Sequence, residues 1–415
     1  MKQLTLSILF LSTLATLIQA ATPNTNQIET LTLEQALELA ERLQPELAEA
    51  KALSEAAEGR AKQAGTFPNL DVIARMESAR FRDPASQAEL PVGISQAIPL
   101  GGRLGKAREA EKLERDRRTH ELEARRRDLR KRVHSGFATA LYQEKAFQTQ
   151  RDFVADTGKL AATTKARVNA GDALREELAR SEMELVRAQV ELRRAEALSE
   201  HAMVELKAAI GDPGLPVKTL VGSLDAIFEI PTLETLAANL SGHPEVASAV
   251  AAVRVRQAQV DLAKAERIPD VRVEALYRRL EASKENAFDI GLMIPLPLFD
   301  RNQGRLREAR AEVAAAEARS RSTQNALRVR LHDAHAQLTT ALANSRALNA
   351  DVLPRADLVL KATEARFAAG DIGLAELLPV RRDWAAVRLT YLESLRDVMQ
   401  AWAQVSAYLK PPVRK

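Results

Sequence analysis

Acidic side chains collect at two matching places in this chain. Asp172, Glu176 and Glu177 follow the run Arg167-Val168-Asn169-Ala170-Gly171, and Asp371 and Glu376 follow Arg366-Phe367-Ala368-Ala369-Gly370. Carboxylates brought together favour cations and repel anions. Acids at a helix start are also favoured by the helix dipole, so the local helix is an equal explanation. His332 and His335 flank Asp333 at a helical spacing that suits a divalent metal. No third histidine is near, and the pair reads as a solvated helix face. Cysteine is absent, which excludes disulfides, thiol chemistry, cysteine metal sites and a lipid anchor on an N-terminal cysteine. With no nucleotide-binding glycine loop and no catalytic constellation, the expectation is a non-enzyme with no cofactor and no bound metal.

The elements that position these residues come from a duplication. Thr32-Leu33-Glu34 with Pro45-Glu46-Leu47 recurs as Thr232-Leu233-Glu234 with Pro244-Glu245-Val246. Phe67-Pro68-Asn69-Leu70 recurs as Ile268-Pro269-Asp270-Val271, and Ile98-Pro99-Leu100 as Leu296-Pro297-Leu298. The two glycine turns recur in step, at an offset of about 199 residues. Each copy reads as helix, two strands, a very long helix, a turn and a returning helix. The expected helices are 33–64, 104–169 and 174–210, then 233–266, 303–368 and 374–409. The organisation expected is a secretory signal peptide over 1–20, an N-terminal segment over 21–30 and a first repeat over 31–210. A Gly/Pro-rich linker over 211–231, a second repeat over 232–410 and a tail over 411–415 complete it. The signal peptide rests on Lys2, the apolar run Leu4 to Ile18, and small residues before a cut after Ala20.

Ala, Leu, Glu, Arg and Lys dominate the composition, the bias of long helices. Leu178, Leu185, Leu192 and Leu206 keep a seven-residue period, as do Leu377, Trp384, Tyr391, Val398 and Val405. That period means helix-on-helix supercoiled packing, with Trp384 and Tyr391 as packing residues. A helix over 104–169 is about 100 Å long and the shorter helices about 50 Å each. A rod of that length needs neighbours along its whole length. The basic run Arg115 to Arg132 is interleaved with acids at helical spacing and reads as a charged helix surface, not a nucleic-acid site.

The strand segments alternate. Leu70, Val72, Ala74 and Met76 oppose Asp71, Arg75 and Glu77; Leu90, Val92, Ile94 and Ile98 oppose Gly93, Ser95 and Ala97. Val271, Val273, Ala275 and Tyr277 oppose Arg272, Glu274 and Arg278; Ile290, Leu292, Ile294 and Leu296 oppose Asp289, Gly291 and Met293. Such alternation over about 10 residues suits a membrane-barrel strand. It suits a half-buried soluble sheet equally. A bilayer accepts only closed strand systems, and bacterial barrels begin at about eight strands. Four strands per chain therefore require barrel construction shared between chains.

The doubled plan resembles the TolC family of outer-membrane factors across nearly the whole mature chain. Ser95-Gln96-Ala97-Ile98-Pro99-Leu100-Gly101-Gly102-Arg103 resembles the cobalt-zinc-cadmium efflux branch, as does Ile294-Pro295-Leu296-Pro297-Leu298-Phe299-Asp300-Arg301-Asn302-Gln303-Gly304. In the second motif proline rigidifies the strand exit and Asp300 or Asn302 is expected to cap the next helix. The resemblance implies a mainly α fold with a small β part. It implies a duplicated coiled-coil α-barrel with four transmembrane strands per chain, and a homotrimer closing a 12-stranded barrel. It implies an outer-membrane efflux duct, without cofactor, partnered by a periplasmic adaptor and an inner-membrane pump of the RND type. The alternatives from the same residues are a duct for type I protein secretion and a periplasmic coiled-coil scaffold. By the resemblance, Val168, Asn169, Ala170, Gly171, Phe367, Ala368, Ala369 and Gly370 form adaptor-contacting tips. Asp172, Glu176, Glu177, Asp371 and Glu376 form a periplasmic gate, with Glu376 matching the family's first gate acid. The family's second gate acid is replaced by Pro379, and its latching arginine by Ile372.

Overall fold

The computed structural model describes residues 29–78, 88–225, 230–280 and 283–409. The expected signal peptide, most of the N-terminal segment, the tail, part of the linker and the end of the first expected strand, read as about 70–81, lie outside the described residues.

The chain begins with β1 (Thr30–Thr32), α1 (Leu33–Leu43), α2 (Pro45–Ala64), β2 (Asp71–Ala74), β3 (Glu89–Ile98), α3 (Arg103–Ala170) and α4 (Arg175–Ile210). There follow β4 (Thr219–Val221), α5 (Leu233–Ala238), α6 (Pro244–Ala265), β5 (Val271–Leu280), β6 (Glu285–Met293), α7 (Gln303–Ala347), α8 (Leu353–Ala369) and α9 (Leu374–Ser406). The long helix α3 and its return α4 sit within a residue of expectation.

Prolines account for most departures. The expected helices 33–64 and 233–266 are each broken, before Pro45 and before Pro244. The residue ahead of a proline is driven out of helical geometry, and Gln44 and His243 are extended, with ψ 117 and 134. The expected helix 303–368 is interrupted by a π turn over Leu348–Val352. Pro354, in the first turn of α8, brings no N–H, so the ladder there is short of a donor. Strand β6 runs earlier than the expected 288–296, ending before Pro295 and Pro297, which cannot donate to a ladder. Strand β2 is shorter than expected, continued only by a bridge from Glu77 to Glu89. The parallel pair β1–β4, with Leu31 opposite Leu220, was not expected. Three-residue strands carry too little periodicity to be read.

Packing follows the length arithmetic. Helices α2 and α4 both lie along α3, end to end. At their junction the Gln44 side chain donates to the Ala209 carbonyl at 2.9 Å. The first core joins Leu129, Val133, Phe137 and Leu141 of α3 to Leu206 and Ile210 of α4, sealed by Leu31 and Leu220. The second joins Leu327, Leu331 and Leu338 of α7 to Val398 and Val405 of α9. The leucine stripe of α4 seats on glycines of α3: Leu185 over Gly158 and Leu206 over Gly136. Small residues at the seam let the helix axes approach.

Candidate functional site: the polar sheet face and the hairpin tips

Strands β2, β3, β5 and β6 form one antiparallel sheet in that order. Register places Val72, Ile94, Ala275 and Ile290 in one row, and Ala74, Val92, Tyr277 and Phe288 in the next. Among the described residues little covers these apolar side chains: Val72 is 80% and Ile290 76% exposed. The other face is charged. Arg272 Nη1 donates to Asp71 at 3.0 Å and to Ser95 Oγ at 3.2 Å. Arg278 donates through Nε to Asp289 at 2.8 Å and through Nη1 to Glu77 at 3.4 Å and to Glu89. One guanidinium thus gathers carboxylates from β3, β6 and the end of the β2 segment. Gly93 is required where β3 crosses β5, since a Cβ there would stand 2.0 Å from the Ala275 carbonyl oxygen. Among the described residues β2 and β6 have no partner on their outer edges. Open strand edges above an apolar exposed face cannot persist in a bilayer, so closure needs further strands.

Two helical hairpins, α3 with α4 and α8 with α9, end in the same kind of turn. Gly171 (φ 87) and Gly370 (φ 82) hold left-handed geometry that side chains resist. The amides of Asp172 and Asp371 donate back to the carbonyls of Arg167 and Arg366, at 2.8 and 2.9 Å, completing Schellman caps. The tips lie together. The Glu177 carboxylate faces Gly373, where a built Cβ would lie 3.9 Å from Oε1. Leu374, Leu377 and Leu378 form a small core against Leu160 of α3 and Phe367. Asp172, Glu176, Asp371 and Glu376 are exposed and Glu177 is half-buried. Glu176 is held by Arg180 at 2.7 Å. Asn169, Ala170, Gly171, Ala368, Ala369 and Gly370 are exposed, whereas Val168 and Phe367 are half-buried. Ile372 is buried, and Pro379 lies within α9.

A polar network behind the tips was missed by sequence reasoning. Arg382 of α9 reaches Glu184 of α4 at 3.4 Å, and Arg381 reaches Glu364 of α8 at 2.6 Å. Trp384, expected as packing, donates Nε1 to Asp357 at 2.6 Å and lies under Arg388. Tyr391 likewise donates its hydroxyl to Asp225 at 3.1 Å. The available signal was chemical: a half-buried indole N–H or phenol needs a partner.

The expected cap at α7 is a correction. Asn302 occupies the N-cap position in left-handed geometry without a side-chain cap bond. Its amide instead donates to the Ala263 carbonyl at 2.8 Å, and Asp300 accepts from the Asn302 N–H at 2.9 Å. These residues fasten the strand exit to α6. His332 is exposed and His335 half-buried. No group of three side chains that could hold a metal ion occurs among the described residues. The basic run is paired within its own helix and to its neighbours, as in Arg117 with Glu114 and Arg132 with Glu46. No described helix is long and apolar enough to cross a membrane.

Comparison with known proteins agrees with this geometry. The family described as outer membrane efflux protein matches residues 36–212 and 236–409. The chain belongs to that family. This efflux protein is 28% identical over 379 residues to the cobalt-zinc-cadmium resistance protein CzcC of Cupriavidus metallidurans, covering 91% of this chain and 90% of that one. It is 26% identical over 335 residues to the nickel and cobalt resistance protein CnrC of the same organism, covering 74% and 73%. Its fold is that of the Campylobacter jejuni CmeC outer membrane channel, with a TM-score of 0.76 at 15% identity over 91% of this chain and 85% of that one. The efflux protein thus has the fold of solved outer-membrane channels, as the resemblance to the TolC family led one to expect.

Proposed function

We propose that this protein is the outer-membrane duct of a tripartite efflux assembly that expels divalent heavy-metal cations. The carrying observation is the four-stranded sheet, charged on one face, apolar on the other, and, among the described residues, uncovered on that apolar face and open at both edges. Three copies close it into twelve strands, within the size range of bacterial barrels. The charged face then lines a water-filled lumen and the helices extend it as a periplasmic tunnel. The chain is exported by a signal peptide over 1–20 and each repeat contributes two strands and a tunnel segment. The turns at 168–171 and 367–370, exposed at all but Val168 and Phe367, offer the adaptor a helix-end surface. Asp172, Glu176, Glu177, Asp371 and Glu376, repeated in three chains, surround the tunnel mouth with negative charge. Such a ring favours cations. The likeness to CzcC and CnrC supports metal as the cargo. An RND-type pump supplies the energy, and the duct conducts passively.

Deletion followed by challenge with cobalt, zinc, cadmium, nickel and a panel of drugs tests this reading. The expected result is lost tolerance to metals with drug tolerance unchanged, restored by the full-length chain. Unchanged metal tolerance while the partner pump and adaptor are expressed would overturn the cargo. Recovery of the mature chain from the soluble fraction would overturn the duct.

A further inference from the structure

Where β6 hands over to α7, the chain exposes apolar residues beside unpaired cations. Leu296 is 74%, Leu298 64% and Phe299 91% exposed, continuing the uncovered face that Ile290 and Leu292 present in the sheet. Leu298 and Phe299 share a groove with Arg267, Arg301, Arg307 and Arg310. All four arginines are exposed, and among the described residues none has an ion-pair partner. The corresponding exit of the first repeat is different: Arg103 is spent on Asp270 at 2.8 Å. Helix stability does not account for the cluster. The first turn of α7 contains no acid, and cations at that end oppose the helix dipole.

We propose that this groove is a lipid-headgroup site: it seats the phosphate of an anionic phospholipid in the periplasmic leaflet of the outer membrane. The inference rests on the outer-membrane placement of the barrel but not on the cargo. Charge complementarity and continuity select the occupant. The apolar face that meets acyl chains runs without a break into Leu298 and Phe299, and the guanidinium groups stand just beyond. Apolar side chains dipping into the acyl boundary beneath basic groups at headgroup level are the pattern of an interfacial anchor. Arginine forks suit phosphate oxygens. The site fixes the height of the barrel in the bilayer at the point where it becomes a tunnel.

The test uses the full-length trimer released from micelles containing phosphatidylglycerol and phosphatidylcholine, with retained lipids counted by native mass spectrometry. The wild type is expected to retain phosphatidylglycerol preferentially. The combined R267Q/R301Q/R307Q/R310Q variant should lose that preference about fivefold or more, since one basic side chain at an anionic surface is worth about 1 kcal/mol. Its single-channel conductance should persist, which separates failure of this site from failure of the duct reading. Lysine at the same four positions should keep the preference. Because the chain has no cysteine, Phe299→Cys takes a single fluorophore in an otherwise unaltered protein. Nitroxides at the lipid headgroup and upper acyl chain should quench it. Equal lipid retention by the glutamine variant would overturn the proposal. So would displacement of the lipid by millimolar inorganic phosphate, which would mark a free-anion site. A label shielded from every lipid nitroxide would also overturn it, by showing that a neighbouring subunit covers the groove.

Discussion

Arg382 on α9 lies 3.4 Å from Glu184 on α4, with the glutamate side chain 6% exposed and the arginine 47%. This pair ties the return helix of one hairpin to that of the other, behind the tips. A buried carboxylate deprived of its cation is costly, whereas removing both charges is much less so. Arg382→Ala is therefore expected to destabilise the protein by about 1–3 kcal/mol, and adding Glu184→Gln should recover part of the loss. Thermal unfolding of the three proteins measures this. Equal melting of the single and double variants would show that the pair carries no such coupling.

Arg278 neutralises a knot of carboxylates on the polar face of the sheet. Arg278→Gln leaves Glu77, Glu89 and Asp289 facing one another without their cation. In the closed barrel this raises the negative charge of the lumen, so cation selectivity should increase. Reversal potentials across a salt gradient in planar bilayers would read the change. A shift toward anions would contradict the placement of Arg278 in the lumen.

The tip acids act through charge in the proposed reading. Asp371→Asn with Glu376→Gln should weaken block of the channel by cobalt or nickel by about tenfold, a loss of about 1.4 kcal/mol in cation affinity. Single-channel recordings over a range of metal concentrations supply the measurement. Block that persists at wild-type concentrations would assign these acids to helix capping alone.

Gly93→Ala should abolish barrel assembly, because the added methyl meets backbone that cannot retreat without parting β3 from β5. Gly105→Ala is the matched control. It lies in α3 with open space around it, and alanine there should be neutral or stabilising by up to about 1 kcal/mol. The heat-resistant trimer band on a gel separates the two outcomes.

Two histidines make the fold sensitive to acid. Burial pushes His134 and His243 down to about 4 from the usual value near 6.5. His243 stacks on Tyr408 at 5.6 Å, and its Nδ1 accepts the Glu245 N–H at 3.3 Å. Both are neutral in the fold, and the unfolded chain takes up their protons first. Their contribution is thus intact above pH 6.5 and lost as pH falls toward 4, at most about 3 kcal/mol for each and less where solvent reaches the ring. His134→Gln with His243→Asn should flatten the fall in melting temperature between pH 7 and pH 4.5. An unchanged slope would assign the acid sensitivity to carboxylates.

Sequence by itself determined the elements whose signals are long or repeated. The duplication, α3 and its return α4, the glycine turns and the alternation of strands β3 and β5 are all legible, because each rests on many residues in period or on a residue with singular backbone freedom. The stripe of Leu185 and Leu206 was legible for the same reason. Tertiary structure alone decided the rest. A proline's effect depends on where it falls in a turn, so Pro45, Pro244 and Pro354 broke helices that apolar spacing had drawn as continuous. The pairing of β1 with β4 joins segments far apart in sequence and too short to show a period. The partners of Trp384, Glu184 and Arg278 are set by which faces meet, and no local pattern encodes a contact between one repeat and the other. Alternation showed that each strand has an apolar and a charged face. Strand count already required that the sheet be shared between chains; only the register decided its order, with β3 of the first repeat beside β5 of the second and, among the described residues, β2 and β6 at the open edges.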